Sequence, residues 1–206
     1  MQARASRAGW IIAAVLMIAG CDGSPSVPDF DPVGSVSFTY TGARSGSYEA
    51  QGAMIPQGGT APQPVTGATA YREGDVLSIL AFRATTATVG DGFVLVLGGV
   101  TQRSSVQLDP LSCSEQSLST CRAGVFAPNI DAAALSENPD LATLAANAYV
   151  LAIGSVNVTT FNAVRVKGTF SGTAIPLGGT GFPSTQQVAN LVTISNGRFD
   201  VPLQPQ

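Results

Sequence analysis

Ser35-Val36-Ser37-Phe38-Thr39-Tyr40-Thr41 alternates without a break. Val36, Phe38 and Tyr40 fall on one side, and Ser37, Thr39 and Thr41 on the other. A period of two belongs to a strand with one face in a core and one in water. Gly42-Ala43-Arg44-Ser45-Gly46 supplies turn residues, and Tyr48, Ala50 and Gly52 continue the pattern. The segment therefore predicts an opening hairpin.

Working toward the C-terminus, the same logic repeats. Val76–Phe82 and Phe93–Leu97 are short, apolar and bounded by Gly or Asp, which predicts central strands buried on both faces. Tyr149–Ile153 and Val156–Thr159 predict two more strands. In Val164–Phe170, Val164, Val166, Gly168 and Phe170 share one face, while Arg165 and Lys167 share the other. Leu191–Ser195 and Arg198–Val201 flank Asn196-Gly197, a dipeptide that favours a two-residue hairpin turn.

One region departs from the pattern. Asn129–Leu135 and Asn138–Ala146 are rich in Ala and Leu. Asn138 can cap a helix, Pro139 suits its first turn, and Asp140 suits the positive end of its dipole. A short helical insertion is expected near 130–147. Ile55-Pro56-Gln57-Gly58-Gly59-Thr60 recurs as Ile175-Pro176-Leu177-Gly178-Gly179-Thr180. Proline stopping a ladder and glycines allowing positive φ account for both as strand punctuation. The expected fold is all-β: an antiparallel sandwich of about eight to ten strands, with a closed barrel as the alternative, since alternation alone does not separate them.

The chain has 206 residues, with 10 basic and 13 acidic side chains. Arg4 and Arg7 lie in the first 20 residues; without them 8 basic side chains face 13 acidic ones, a net charge of −5. That balance argues against nucleic acid as a partner and against electrostatic attachment to anionic headgroups. Histidine is absent. Its absence removes the commonest general base, the commonest transition-metal ligand and any Ser-His-Asp arrangement. No cofactor is implied.

Remaining candidates for chemistry are sparse. Lys167 is the only lysine, and it falls on an exposed strand face. Glu49, Glu73, Asp75 and Asp91 are carboxylates for glycoside-type acid–base work, but their sequence separations give no reason to place any two at the required distance. Asp29 and Asp31 sit in a proline-rich stretch, where solvated charge is the simpler reading than a calcium site. Asn157-Val158-Thr159 matches a glycosylation sequon. The chain is expected to have no catalytic residues and no metal site. Cys113 and Cys121 flank a polar segment, and a pair in an oxidising compartment reads as a disulfide. Closing so short a loop contributes about 2.5 kcal/mol on the chain-entropy model.

The N-terminus carries the most specific signal. Arg4 and Arg7 precede an apolar run from Trp10 to Ala19, with no acidic residue before Asp22. The run is about half the ~20 residues a transmembrane helix needs, which fits the apolar core of a secretory signal. Ile18-Ala19-Gly20-Cys21 resembles the lipobox of bacterial lipoprotein precursors: an apolar residue, two small residues and a cysteine. The resemblance covers only the leader, about a tenth of the chain. It implies acylation of the Cys21 sulfur and cleavage between Gly20 and Cys21, and stable anchoring takes two or three acyl chains.

The expected organisation is a signal peptide at 1–20, a lipidated Cys21 with a proline-rich tether over 21–33, and one β-rich domain at 34–206. The expected function is that of a non-enzymatic cell-envelope lipoprotein, a structural or interaction module at a membrane surface with an envelope protein as partner. The alternative is a ligand-binding lipoprotein for a small molecule, lipid or glycan. Asp22 resembles the inner-membrane retention signal of enteric bacteria, but the choice of inner or outer membrane stays open.

Overall fold

A computed structural model describes residues 31–54, 66–113, 118–131, 147–177 and 190–204. They form ten strands: β1 Gly34–Gly42, β2 Gly46–Gly52, β3 Gly67–Glu73, β4 Val76–Ala84, β5 Val89–Gly98, β6 Ser104–Gln107, β7 Arg122–Asp131, β8 Tyr149–Phe161, β9 Arg165–Pro176 and β10 Val192–Pro202. All belong to one antiparallel sheet in the order β2-β1-β10-β9-β8-β7-β5-β4-β3, with β6 pairing β8 beyond the end of β7.

The sheet curls until its ends meet. β3 touches the opposite edge through parallel bridges Ala53↔Ala68 and Ala70↔Leu203. The Gln204 N–H donates to the Ala70 carbonyl at 2.9 Å. The approach is so close that a Cβ on Gly34 would lie 2.1 Å from the Ala68 oxygen, and one on Gly52 would lie 2.3 Å from the Thr66 oxygen. Only glycine lets the two edges meet there. The result is a nearly closed barrel, the second of the two architectures the alternation allowed.

Inward-facing positions fill the interior. Val36, Phe38, Tyr48, Phe93, Leu95, Phe126, Leu151, Phe170, Ile194 and Phe199 are all buried. Phe38 sits at the centre, its ring 4.8 Å from Tyr48, 5.2 Å from Phe126, 5.3 Å from Phe93 and 5.8 Å from Phe170. Such pairs add about 0.5–1.5 kcal/mol each beyond their buried area.

The outer wall has two characters. On β1, β9 and β10 it is polar, with Ser35, Ser37, Thr39, Lys167, Thr169, Ser171, Thr193 and Arg198 exposed or half-buried. On β5 and β7 the outward residues Val96, Ala123, Val125 and Ala127 are buried as well. Cys113 and Cys121 pack against Val76, Val94, Val96 and Ala123, so the disulfide covers part of that apolar wall. Burial of β4 and β5 on both faces is what their unbroken apolar runs predict.

Three expectations need correction. Asn196-Gly197 is not a hairpin turn. Both flanking runs belong to β10 and pair with β1 and β9, with a register shift between Ile194 and Gly197. Asn196 has φ 55°, so the dipeptide's left-handed preference is absorbed by a bulge. Tyr149–Ile153 and Val156–Thr159 are one strand, β8, re-registered by irregularities at Leu151/Ile153 and Val158/Thr160. The helical insertion near 130–147 loses its first two residues, since Ile130 and Asp131 close β7 opposite Gly90 and Val89. Residues 132–146, like the Ile55–Thr60 copy of the internal echo, lie outside the described residues.

Candidate functional site

Among the residues singled out by sequence, Cys113 and Cys121 come together as a disulfide. Their loop is fastened again at its neck: the Ser112 hydroxyl donates to the Thr120 carbonyl at 2.7 Å, and the Thr120 hydroxyl to the Ser112 carbonyl at 3.1 Å. Leu111, beside the neck, is 73 % exposed. Cys21 and Asp29 lie outside the described residues.

The carboxylates are dispersed by the topology. Glu49 points outward on β2, and Glu73 and Asp75 flank the β3–β4 turn. Asp91 is buried at 5 % exposure and is held in an ion pair. Its Oδ2 accepts from Arg83 Nε at 3.2 Å and from Arg83 Nη2, and its Oδ1 accepts from the Asn129 N–H at 2.9 Å. Arg83 also donates to the Ser47 carbonyl at 3.0 Å, and its guanidinium carbon lies 5.2 Å from the Tyr48 ring centroid. The group ties β4 and β5 to β7 and, across the seam, to β2. Burial pushes the Tyr48 hydroxyl far above its ordinary range, with the Arg83 charge opposing that shift and the Asp91 charge adding to it.

Sequence reading gave Asp91 no partner. The signal was there: Arg83 and Asp91 face each other across the β4–β5 hairpin, so recognising the turn at 85–88 would have paired them. Asn129, with φ 56°, follows Pro128 at a break in the β5–β7 ladder, where a missing N–H costs nothing.

A second charged group lies on the outer wall where the chain enters the barrel. Arg165 and Lys167 of β9 both pair with Asp200 of β10, Lys167 Nζ at 2.8 Å from Oδ2 and Arg165 Nε on Oδ1. Burial, the largest single influence on Asp200, raises its pKa. Hydrogen bonds from Lys167 and Arg165 and their charges outweigh it, and the net direction is down. Asp31, Val164, Arg165, Lys167 and Asp200 line an open depression of about 460 Å³.

Another shallow depression, about 270 Å³, lies on β8, β9 and β10 among Ser155, Asn157, Thr169, Ser171, Asn196 and Arg198. Asn157, Thr169 and Arg198 stand in one cross-strand row. Arg198 makes no ion pair among the described residues. Among those residues, no three of His, Cys, Asp and Glu gather as a metal-binding group.

The fold and these sites define a class: a barrel-like, all-antiparallel β domain whose interior is filled by aromatic side chains and whose polar groups sit on its wall. Comparison with protein-family models, with curated proteins and with solved structures found no match.

Proposed function

We propose that this chain is a non-enzymatic cell-envelope lipoprotein: a rigid β module held outside the cytoplasm by acyl chains on Cys21, serving as a structural or interaction element. The observation that carries the reading is Ile18-Ala19-Gly20-Cys21 at the end of a basic-then-apolar leader. The Cys113–Cys121 disulfide supports an oxidising compartment. A lumen packed with Phe38, Phe93, Phe126 and Phe170 supports a module that acts through its surface.

An alkyne-labelled fatty acid fed to producing cells tests the anchor. Label is expected on the wild-type protein and absent from Cys21→Ala; label on neither, or on both, refutes it. Crosslinking in intact cells then tests the interaction role, with an envelope protein captured by the native form and lost in Cys21→Ala. Fractionation of the same cells assigns the membrane.

A second reading, ligand binding, is favoured by the depression around Arg198. Its hydroxyls, amides and single cation suit a glycan or another polar anionic molecule better than an apolar lipid.

A further inference from the structure

The Arg165 side chain reaches beyond its ion pair. Nη2 donates to the Val33 carbonyl at 3.0 Å, and Nη1 lies 3.4 Å from the Asp31 carbonyl and 3.5 Å from Asp31 Oδ2. Nε is held by Asp200. All three guanidinium nitrogens are thus engaged, and two of the acceptors are backbone carbonyls of the segment leading into β1. The side chain is mostly sheltered, at 22 % exposure.

The surroundings hold this arginine in place. The Asn162 Oδ1 accepts from the N–H groups of Val164 at 3.0 Å and Arg165 at 2.8 Å, and the Asn162 N–H donates to the Arg165 carbonyl at 3.1 Å. That turn starts β9 at Arg165. Asp200, its other partner, pairs with Lys167 on one side and with Ser35 of β1 on the other. The entering segment also has its own turn, the Val33 N–H donating to Asp31 Oδ1 at 2.9 Å. Directly after it, Gly34 is wedged against the Ala68 carbonyl.

We propose that Arg165 is a clamp on the N-terminal segment, tying the chain at Asp31 and Val33, as it enters the barrel, to β9 and β10. The clamp's purpose rests on the Cys21 anchor proposed above. Residues 22–30 separate that cysteine from Asp31, and nine residues span at most about 32 Å. Releasing 31–33 would lengthen the reach by about 10 Å. Without the clamp, a pull on the tether would act along β1 and open its pairing from the end. With it, the pull is shared with β9 and β10 before it reaches the β1 ladder. Reading two carbonyls and a carboxylate from one planar group is arginine chemistry, which a lysine ammonium does not reproduce.

Amide hydrogen exchange with mass spectrometry on the full chain tests the clamp, comparing wild type with Arg165→Lys, Arg165→Gln and the wall control Arg198→Gln. In both Arg165 variants, exchange in peptides spanning Asp31–Val36 is expected to rise roughly tenfold, with the rest of the barrel within about twofold of wild type. The Arg198 variant is expected to match wild type throughout. Wild-type exchange at Asp31–Val36 in Arg165→Lys overturns the proposal. So does a rise of equal size across the whole barrel, which would make Arg165 a residue of the fold alone. The readout is blind to acylation, so the clamp stands or falls here while the anchor stands or falls on the fatty-acid label alone.

Discussion

Replacing Asp91 by alanine should cost the barrel about 3 kcal/mol, a magnitude that follows from what the carboxylate holds. At 5 % exposure, Asp91 takes two donations from Arg83 and one from the Asn129 N–H at 2.9 Å. Alanine leaves both donors without their acceptor. Removing one member of a fully buried pair costs about 3–5 kcal/mol. The Arg83 side chain is 28 % exposed and keeps the Ser47 carbonyl at 3.0 Å, so water and that carbonyl relieve part of the loss. The lower end of the range applies. Asp91→Asn retains an acceptor and the shape, and should lose about half as much. Arg83→Met with Asp91→Leu leaves neither charge buried but still strands the Asn129 N–H, and should lie about 1–2 kcal/mol below wild type. Urea unfolding followed by circular dichroism measures all of these; with a slope of about 2 kcal/mol/M, Asp91→Ala should shift the midpoint by about 1.5 M. A shift under about 0.5 M, or a double variant no more stable than Asp91→Ala, refutes the ion pair as a fastening between β5 and its neighbours.

Phe38→Ala removes the ring at the centre of the core and should cost about 3–5 kcal/mol in the same assay, with Phe38→Leu well below that. Replacing Cys113 and Cys121 together by serine should lower stability by about 2.5 kcal/mol under non-reducing conditions, and thiol titration of the native protein should find neither sulfur free. Asp200, held ionised by Lys167 and Arg165, contributes stability present above the ordinary carboxylate pKa and lost as pH falls through its lowered value. Asp200→Asn should therefore flatten the acid limb of a stability–pH profile below about pH 4. Tyr48 behaves in the opposite sense: its raised pKa gives stability that is complete below about pH 10 and declines above it, so Tyr48→Phe should remove part of the alkaline loss in thermal melts.

How far the sequence could be read depended on whether a signal was local. Val36, Phe38 and Tyr40 announced β1 because alternation is a property of the strand itself, and the apolar runs of β4 and β5 declared burial on both faces for the same reason. The cysteine pair was legible because its members are close in sequence. Asn196-Gly197 was misread because the dipeptide specifies a left-handed backbone step, and both a turn and a bulge use one. Which of them forms depends on whether the flanking runs pair with each other or with β1 and β9, and the partner strands decide that. β7 is absent from the sequence reading, which puts Asn129–Asp131 in the Ala- and Leu-rich region; Asp91, from another strand, accepts the Asn129 N–H there. Arg165 was correctly placed opposite the apolar face. That the N-terminal segment crosses the same face is a fact of topology, which no spacing within β9 could reveal.

The barrel's polarity bears on how the domain could meet a membrane. A membrane-spanning barrel carries an apolar outer band and a polar lumen. Here Phe38, Phe93, Phe126 and Phe170 point inward, while Ser37, Lys167, Thr169, Arg198 and Asp200 face out on β1, β9 and β10. Turning that wall toward lipid would cost about 2–4 kcal/mol for each Arg or Lys near the midplane. The apolar outer residues Val96, Ala123, Val125 and Ala127 offer no alternative, because they are already buried. Nor does the charge balance favour an electrostatic route, since residues 21–206 carry 8 basic and 13 acidic side chains. Among the described residues the wall of β1, β9 and β10 is therefore poorly suited to lipid, which agrees with the separate anchor proposed above. Cys21, ten residues before Asp31, where Arg165 first touches the chain, is the position we propose for that anchor.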